Sequence, residues 1–411
     1  MIERIDNIIK VPTLGPKDFP FLMSHIHHTI EKAGYENLTL DFSHCSYVDA
    51  GSMLAVCAQA IDRRTIDNYF RLEVPENDQL NRLFMNANWA HFIDPRRYDP
   101  AKKTSQTQTP ATQYTKSSEQ NSLVNRICNQ MLGLIPDMNR ADLQAFEWTI
   151  NEITDNVLVH SHSQSGGLVQ LSFFPKNKTV KYMVADAGMG IPHSMRSGRD
   201  YSNVSDFDAL HKVIEEGVTR DKAVGQGNGL YGSYQISRHC QGMFEIRSGH
   251  AHLQLSKKNG LHVKVEKIPY TGTLIVGEVD FSMPKLLEEA LKFGGKKHVL
   301  SYDHIDHKYE NDNNSEIRFI LKNEAESLGS RTAGTPVRNK LKNLFAMSNS
   351  KSILIDFEGI HLMSSSFADE VFGKLFKEIG PMAFMQRIQL HRAPQTCKDL
   401  IDKAITQRMG Q

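Results

Sequence analysis

Apolar positions along this chain follow two rhythms. Short aliphatic runs closed by Asp-Phe, Leu38-Thr39-Leu40-Asp41-Phe42 and Ile353-Leu354-Ile355-Asp356-Phe357, read as buried strands. At the same interval after each comes a small polar cluster, Asp49-Ala50-Gly51-Ser52 in one and Ser364-Ser365-Ser366 in the other. Helical apolar spacing then sets in, from Met53 to Cys57 and from Phe367 to Phe376. The pattern predicts a strand, a loop whose Asp or Ser caps a helix, and that helix packed on the sheet. Two related α/β modules are expected, one near each end.

The middle of the chain is patterned differently. From Ala141 to Ser161, Leu143, Phe146, Ile150, Ile153 and Val157 form one helical stripe. Leu168–Phe174 and Val180–Val184 read as adjacent strands joined by the turn Pro175-Lys176-Asn177-Lys178, and Tyr231–His239 reads as a helix. Pro100 to Asn121 is nearly devoid of large aliphatics, and His304 to Ser315 is polar and acidic, so neither is expected to bury enough apolar surface to order itself. The expected organisation is a module at 1–99, a linker at 100–121, a central domain at 122–290, a linker at 291–315 and a module at 316–411, in the α/β (α+β) class.

Composition narrows the functional classes. Hydrophobic residues make up 40% and charged residues 23% of the 411, as in ordinary globular domains. A net charge of +1 gives no electrostatic case for a nucleic-acid partner. No apolar run approaches the roughly 20 residues of a membrane helix, and no signal-peptide pattern opens the chain. Cys45, Cys57, Cys128, Cys240 and Cys397 are scattered without a CxxC pair, which suits reduced buried thiols and a cytoplasmic location.

Three stretches carry candidate chemistry. On the helix, Glu152, Asn156 and His160 recur at every fourth position. Asn156 can hold Mg²⁺ through its amide oxygen while Glu152 orients a water, since Mg²⁺ takes few protein ligands beside phosphate oxygens. At the end of the second strand, Asp186-Ala187-Gly188-Met189-Gly190 sets a carboxylate where it can accept from the exocyclic amine of adenine, with Gly188 and Gly190 leaving room for a flat base. Gly225-Gln226-Gly227-Asn228-Gly229-Leu230 precedes a helix, and its amides and the helix dipole favour phosphate. Thr273, in Thr271-Gly272-Thr273, puts a hydroxyl within reach of the base or of a water on Asp186. Taken singly, these stretches also fit a solvated helix face or a simple turn.

In this order the stretches closely resemble the N, G1, G2 and final boxes of the GHKL ATPases, over roughly residues 122–285. The resemblance implies an α/β sandwich that binds ATP and Mg²⁺. It casts Glu152 as general base, Asn156 as Mg²⁺ ligand, Asp186 as adenine reader, and Gly188, Gly190, Gly225, Gly227, Gly229, Leu230 and Thr273 as nucleotide contacts. The run Ser233–Gly242 with Arg247-Ser248-Gly249 looks most like the kinase branch, yet the helix Leu123–Leu134 has no histidine to serve as phosphoacceptor. Both outer modules resemble STAS domains. In the first, the phosphorylated serine of that family is replaced by Ala50, with Ser52 as a substitute; in the last, Ser365 stands at the equivalent position. The implied function is an ATP-dependent regulatory protein, an anti-sigma-type serine kinase or histidine kinase-like ATPase acting with STAS-domain partners, with a homodimer among the arrangements it allows. The alternatives are an ATP-hydrolysing clamp and a nucleotide-binding scaffold.

Overall fold

The computed structural model describes residues 1–64, 69–102, 106–219, 227–283, 289–298, 303–310, 316–348 and 350–409. The chain is α/β and divides into two compact units. The first takes in Met1–Val124, Thr149–Phe174 and Thr179–His298, and the second Asn125–Trp148, Pro175–Lys178 and Val299–Gln411.

The first unit begins with a four-stranded sheet. Strands β1 (Glu3–Ile5) and β2 (Ile8–Lys10) form a hairpin; β4 (Asn37–Asp41) and β6 (Tyr69–Glu73) extend it in parallel, in the order β1-β2-β4-β6. A separate parallel pair joins β3 (Thr13–Leu14) to β5 (Tyr47–Val48). Alternation in β4 buries Leu38 and Leu40 and leaves Asn37, Thr39 and Asp41 partly exposed, the period-two pattern of a strand with one covered face. Helix α1 (Phe19–His27) and helix α2 (Ala50–Asp62) follow β3 and β5 in turn. Asp49 caps α2, its carboxylate accepting from the Ser52 N–H at 2.9 Å.

Helix α2 is buried on every side from Gly51 to Ala60. A helix hidden all round needs apolar neighbours on both flanks, and its second flank is a five-stranded antiparallel sheet. That sheet comprises β7 (Gln108–Tyr114), β8 (Gly167–Phe174), β9 (Thr179–Asp186), β10 (Phe244–Ser256) and β11 (Gly260–Asp280), ordered β10-β11-β9-β8-β7. Leu168, Met183, Ala185, Leu274 and Val276 share one hydrophobic core with α2 and the amino-terminal sheet. Gly51 meets the new sheet so closely that a Cβ there would lie 2.9 Å from Val276 Cγ2. Across the same seam, buried Trp89 on α4 (Trp89–Ile93, after α3, Asp78–Asn86) donates from Nε1 to Gln170 Oε1 at 2.8 Å.

The stretch expected to be a flexible linker at 100–121 is ordered over much of its length. Residues 108–114 are the edge strand β7, and helix α5 (Ser117–Leu134) starts soon after. An edge strand tolerates what the composition seemed to forbid. Pro110 sits at a register shift between Thr109 and Thr112, and only Thr109, Ala111 and Tyr114 are buried. The outer edge is tied down by Ala111 N–H to the Ala87 carbonyl (3.0 Å) and by Asn88 Nδ2 to the Ala111 carbonyl (3.2 Å).

Helix α6 (Arg140–Asn156) widens into a π turn over Val157–Ser161, then β8 and β9 form a hairpin. Helices α7 (Gly190–Arg196), α8 (Asp206–Lys212) and α9 (Gly229–His239) lie between β9 and β10. Leu274–Val279 lies in the last third of the long β11, and Thr271–Thr273 is an irregularity within that strand. The two-residue strands β12 (Lys292–Phe293) and β13 (Lys296–Lys297) close the first unit. No helix among the described residues is long and apolar enough to cross a membrane.

The second unit is built on a parallel sheet, β14 (Glu316–Ile320), β15 (Ser352–Asp356) and β16 (Ile388–His391), with β15 central. The second stretch expected as a linker, 291–315, holds helix α10 (His304–Tyr309) with Asp303 as its cap. The acidic residues of this helix and its two ends are partnered. Arg140 bonds Asp303, Asp306 and Glu310 together, and Lys351 pairs with Glu310 at 2.9 Å. Asn343, on α11 (Arg331–Met347), is buried; its Nδ2 donates to the Leu132 and Ile135 carbonyls and its Oδ1 accepts from Met138 N–H.

Candidate functional site

The turn after β9 is tightly constrained. Alternation along β9 turns Met183 and Ala185 toward α2, so Tyr182, Val184 and Asp186 face the opposite side of the sheet. Asp186 is 2% exposed. Burial pushes its carboxyl up to about 7, against the N–H groups of Gly188 and Thr273, which favour the ionised form. The Gly188 N–H bond to Oδ1 is 2.8 Å. Tyr270 donates its buried hydroxyl to the Asp186 carbonyl at 2.9 Å.

Glycine is required here by close approach. A Cβ on Gly188 would collide with the Ser161 carbonyl, which already accepts from Met189 N–H at 2.8 Å. Gly190 has φ +76°, and a Cβ there would lie 2.7 Å from Ser248 Oγ. That hydroxyl accepts from Ile191 N–H (2.8 Å), donates to the Gly272 carbonyl (2.7 Å) and lies 3.3 Å from Thr273 Oγ1. Asp186, Gly188, Gly190 and Thr273 therefore meet at one point, with Thr273 directly opposite Asp186 in the β9–β11 pairing.

The helix bearing Glu152 and Asn156 reaches the same turn through Ser161, at the end of its π turn. Past Asn156 the helix widens into this π turn, which carries His160. Glu152 is partly buried, and desolvation, with help from the nearby Asp155 carboxylate, raises its carboxyl above the usual range. The first residue of α9 closes the arrangement. A Cβ on Gly229 would lie 2.6 Å from Glu152 Oε2 and 3.4 Å from Asn156 Nδ2. The positive end of α9 thus abuts a carboxylate and an amide, with Leu230 half-buried beside them. Gly227, at φ +72°, packs against the Gly217–Val218 backbone, and Asn228 Oδ1 accepts from Gly217 N–H at 3.2 Å. Gly225 lies outside the described residues.

This set offers an amide oxygen for a hard cation, a carboxylate of raised proton affinity, a helix N-terminus for an anion and a buried acid at a side-chain-free turn. A cavity of about 600 Å³ adjoins the turn, lined by Ser161, Ser163, Ser165, Gly188, Asp62 and Arg64 among others; Glu152 and Asn156 do not line it. Tyr270 and Ser161, which fix the turn, carry no sequence signal. They act through one hydroxyl and one carbonyl supplied from distant segments.

The two candidate phosphoacceptors differ sharply. Ser52 is 3% exposed and its hydroxyl donates to Asp49 at 3.0 Å, inside the seam beneath the sheet. Ser365, in the second unit, is an exposed residue opening helix α12 (Ser365–Ala368), where Ser364 Oγ accepts the capping bond from Phe367 N–H at 3.1 Å. No curated protein matches the chain. Residues 333–393 match the family described as a STAS-like domain of unknown function (DUF4325), so the carboxy-terminal module is STAS-like.

Proposed function

We propose that the first unit binds Mg-ATP in the manner of the GHKL ATPases, and that the protein is a regulatory kinase or ATPase acting with STAS-like modules. The observation that carries this reading is the seating of Gly229 on Glu152 and Asn156. Residues more than seventy positions apart converge where a magnesium ligand, a general base and an anion-binding helix end are all needed. Asn156 would hold Mg²⁺, which would neutralise triphosphate charge. Glu152 would take a proton from the attacking hydroxyl or water. Asp186, ionised, would accept from the adenine amine.

Of the two serines, Ser365 is the acceptor the reading favours, in the same chain or in a partner. Ser52 is withdrawn from solvent. The amino-terminal module, with its strand, capped helix and Ala50 in place of a serine, would be a STAS-like element that supports the ATPase and does not receive phosphate. The net charge of +1 gives no case for a nucleic-acid partner. A cytoplasmic homodimer remains part of the reading.

Calorimetry with Mg-ATP tests the pocket: wild type should bind, and Asn156→Ala and Asp186→Ala should not. Mass spectrometry after incubation with γ-labelled ATP tests the chemistry. Phosphate on Ser365 identifies a kinase. Free phosphate lost in Glu152→Ala, with no labelled protein, identifies a hydrolysing clamp. Undiminished ATP binding in both pocket variants would overturn the assignment.

A further inference from the structure

Within the second unit, three buried side chains of unlike chemistry converge. Cys128 on α5, Glu147 on α6 and His304 on α10 bring a thiol sulfur, a carboxylate oxygen and an imidazole nitrogen within 4.8 Å of one another. Glu147 and His304 are each 1% exposed and Cys128 is fully enclosed. Two atoms of these side chains are left over by the protein's own hydrogen bonding. Glu147 Oε2 accepts from the His304 N–H at 3.1 Å, while Oε1 has no hydrogen-bond partner among the described residues. His304 Nδ1 lies 3.1 Å from Asn125 Oδ1, an acceptor, so Nδ1 carries the proton and Nε2 the lone pair; Nε2 likewise lacks a partner among the described residues.

Buried polar atoms are nearly always satisfied, so an orphaned carboxylate oxygen and an orphaned imidazole lone pair on side chains clustered with a thiol call for an explanation. A divalent cation supplies one. We propose that Cys128, Glu147 and His304 bind a zinc ion that ties α5, α6 and α10 together. Thiolate, imidazole and carboxylate are the three ligand types zinc accepts, and the thiolate disfavours Mg²⁺ and Ca²⁺. One thiolate and one carboxylate cancel the charge of Zn²⁺, so the occupied site is neutral, as a buried site should be. Asn125 plays the orienting part usual for metal-bound histidine, fixing the tautomer that leaves Nε2 free. Bonds of about 2.0–2.3 Å require ligand atoms closer together than 4.8 Å, so small side-chain rotations accompany binding. Water fills the fourth position. Metal entry displaces the thiol proton and any proton on Glu147.

The test uses the full chain, stripped with chelator and titrated with Cd²⁺. One equivalent should produce an ultraviolet thiolate-to-cadmium band that Zn²⁺ abolishes. Cys128→Ser should eliminate the band, and Asn125→Ala should weaken affinity by about tenfold or more. A natively folded wild type with no band, or a band that survives Cys128→Ser, overturns the proposal, since four other buried cysteines are available to report. X-ray absorption of the zinc-loaded wild type does not depend on any variant folding. A shell with one sulfur supports the site; an all-oxygen-and-nitrogen shell refutes it.

Discussion

Gly229 stands against Glu152 with no room for a side chain between them: a Cβ on the glycine would fall 2.6 Å from Glu152 Oε2 and 3.2 Å from its Cβ. The start of α9 is thereby locked onto the helix that carries Asn156. Gly229→Ala should push these helices apart locally while improving helix propensity, so stability should change by about 1 kcal/mol or less. Mg-ATP affinity should nevertheless fall at least tenfold. Calorimetry and urea denaturation on the same sample separate the two effects, and unchanged affinity would mean that the contact plays no part in binding.

Asp186 gives the protein a pH signature. Its folded-state affinity for a proton lies near 7, against an ordinary 3.8, because burial disfavours the charge. Between about pH 4 and 7 the folded chain holds a proton that the unfolded chain has lost, so this group makes stability fall as pH rises through that window. The full penalty, reached above 7, is on the order of 4 kcal/mol. Asp186→Asn should be comparatively more stable at pH 8 than at pH 5, measured by denaturant midpoints. Binding that needs the ionised carboxylate should strengthen from pH 6 to 8 and release a proton, which calorimetry in buffers of different ionisation enthalpy detects.

The two glycines Gly188 and Gly217 make a matched pair. A Cβ on Gly188 collides with the Ser161 carbonyl, whereas Gly217, at φ +74°, has nothing within 4 Å of that position. Gly188→Ala should cost several kcal/mol through backbone displacement, and Gly217→Ala only about 1–2 kcal/mol from its left-handed backbone. Chemical denaturation of both variants measures the contrast; equal losses would contradict the packing described for the turn.

Trp89 reports on the seam between the amino-terminal module and the central sheet. Trp89→Phe leaves the buried Gln170 Oε1 without its donor, at a cost of about 1–3 kcal/mol. Removing residues 1–99 altogether should expose Leu168, Met183, Leu274 and Val276, each worth about 1.5–3 kcal/mol when buried, and the remainder should aggregate. Size-exclusion chromatography decides: a monodisperse truncated chain would show that the face needs no cover.

Much of this architecture is legible in local pattern. The stripe Leu143–Val157, the hairpin around Pro175–Lys178 and the strand–cap–helix units at Asp49 and Ser364 depend on neighbours a few residues away, and periodicity reports such neighbours directly. Strand β7 escaped because an edge strand with one covered face needs few aliphatics and accepts a proline at its bulge. Helix α10 escaped because its acids look like solvated linker residues until Arg140 and Lys351 arrive from elsewhere to neutralise them.

By itself, then, the order of residues determined many of the segments that become helix or strand, though not β7 or α10, and which carboxylates, amides and glycines are available for chemistry. Only the tertiary structure decided that α2 is clasped between two sheets, that Ser52 is hidden and Ser365 open, and that Cys128, Glu147 and His304 meet. Periodicity encodes contacts within a turn or a pleat. Burial, desolvation and convergence arise between segments far apart in the chain, where no spacing rule connects them.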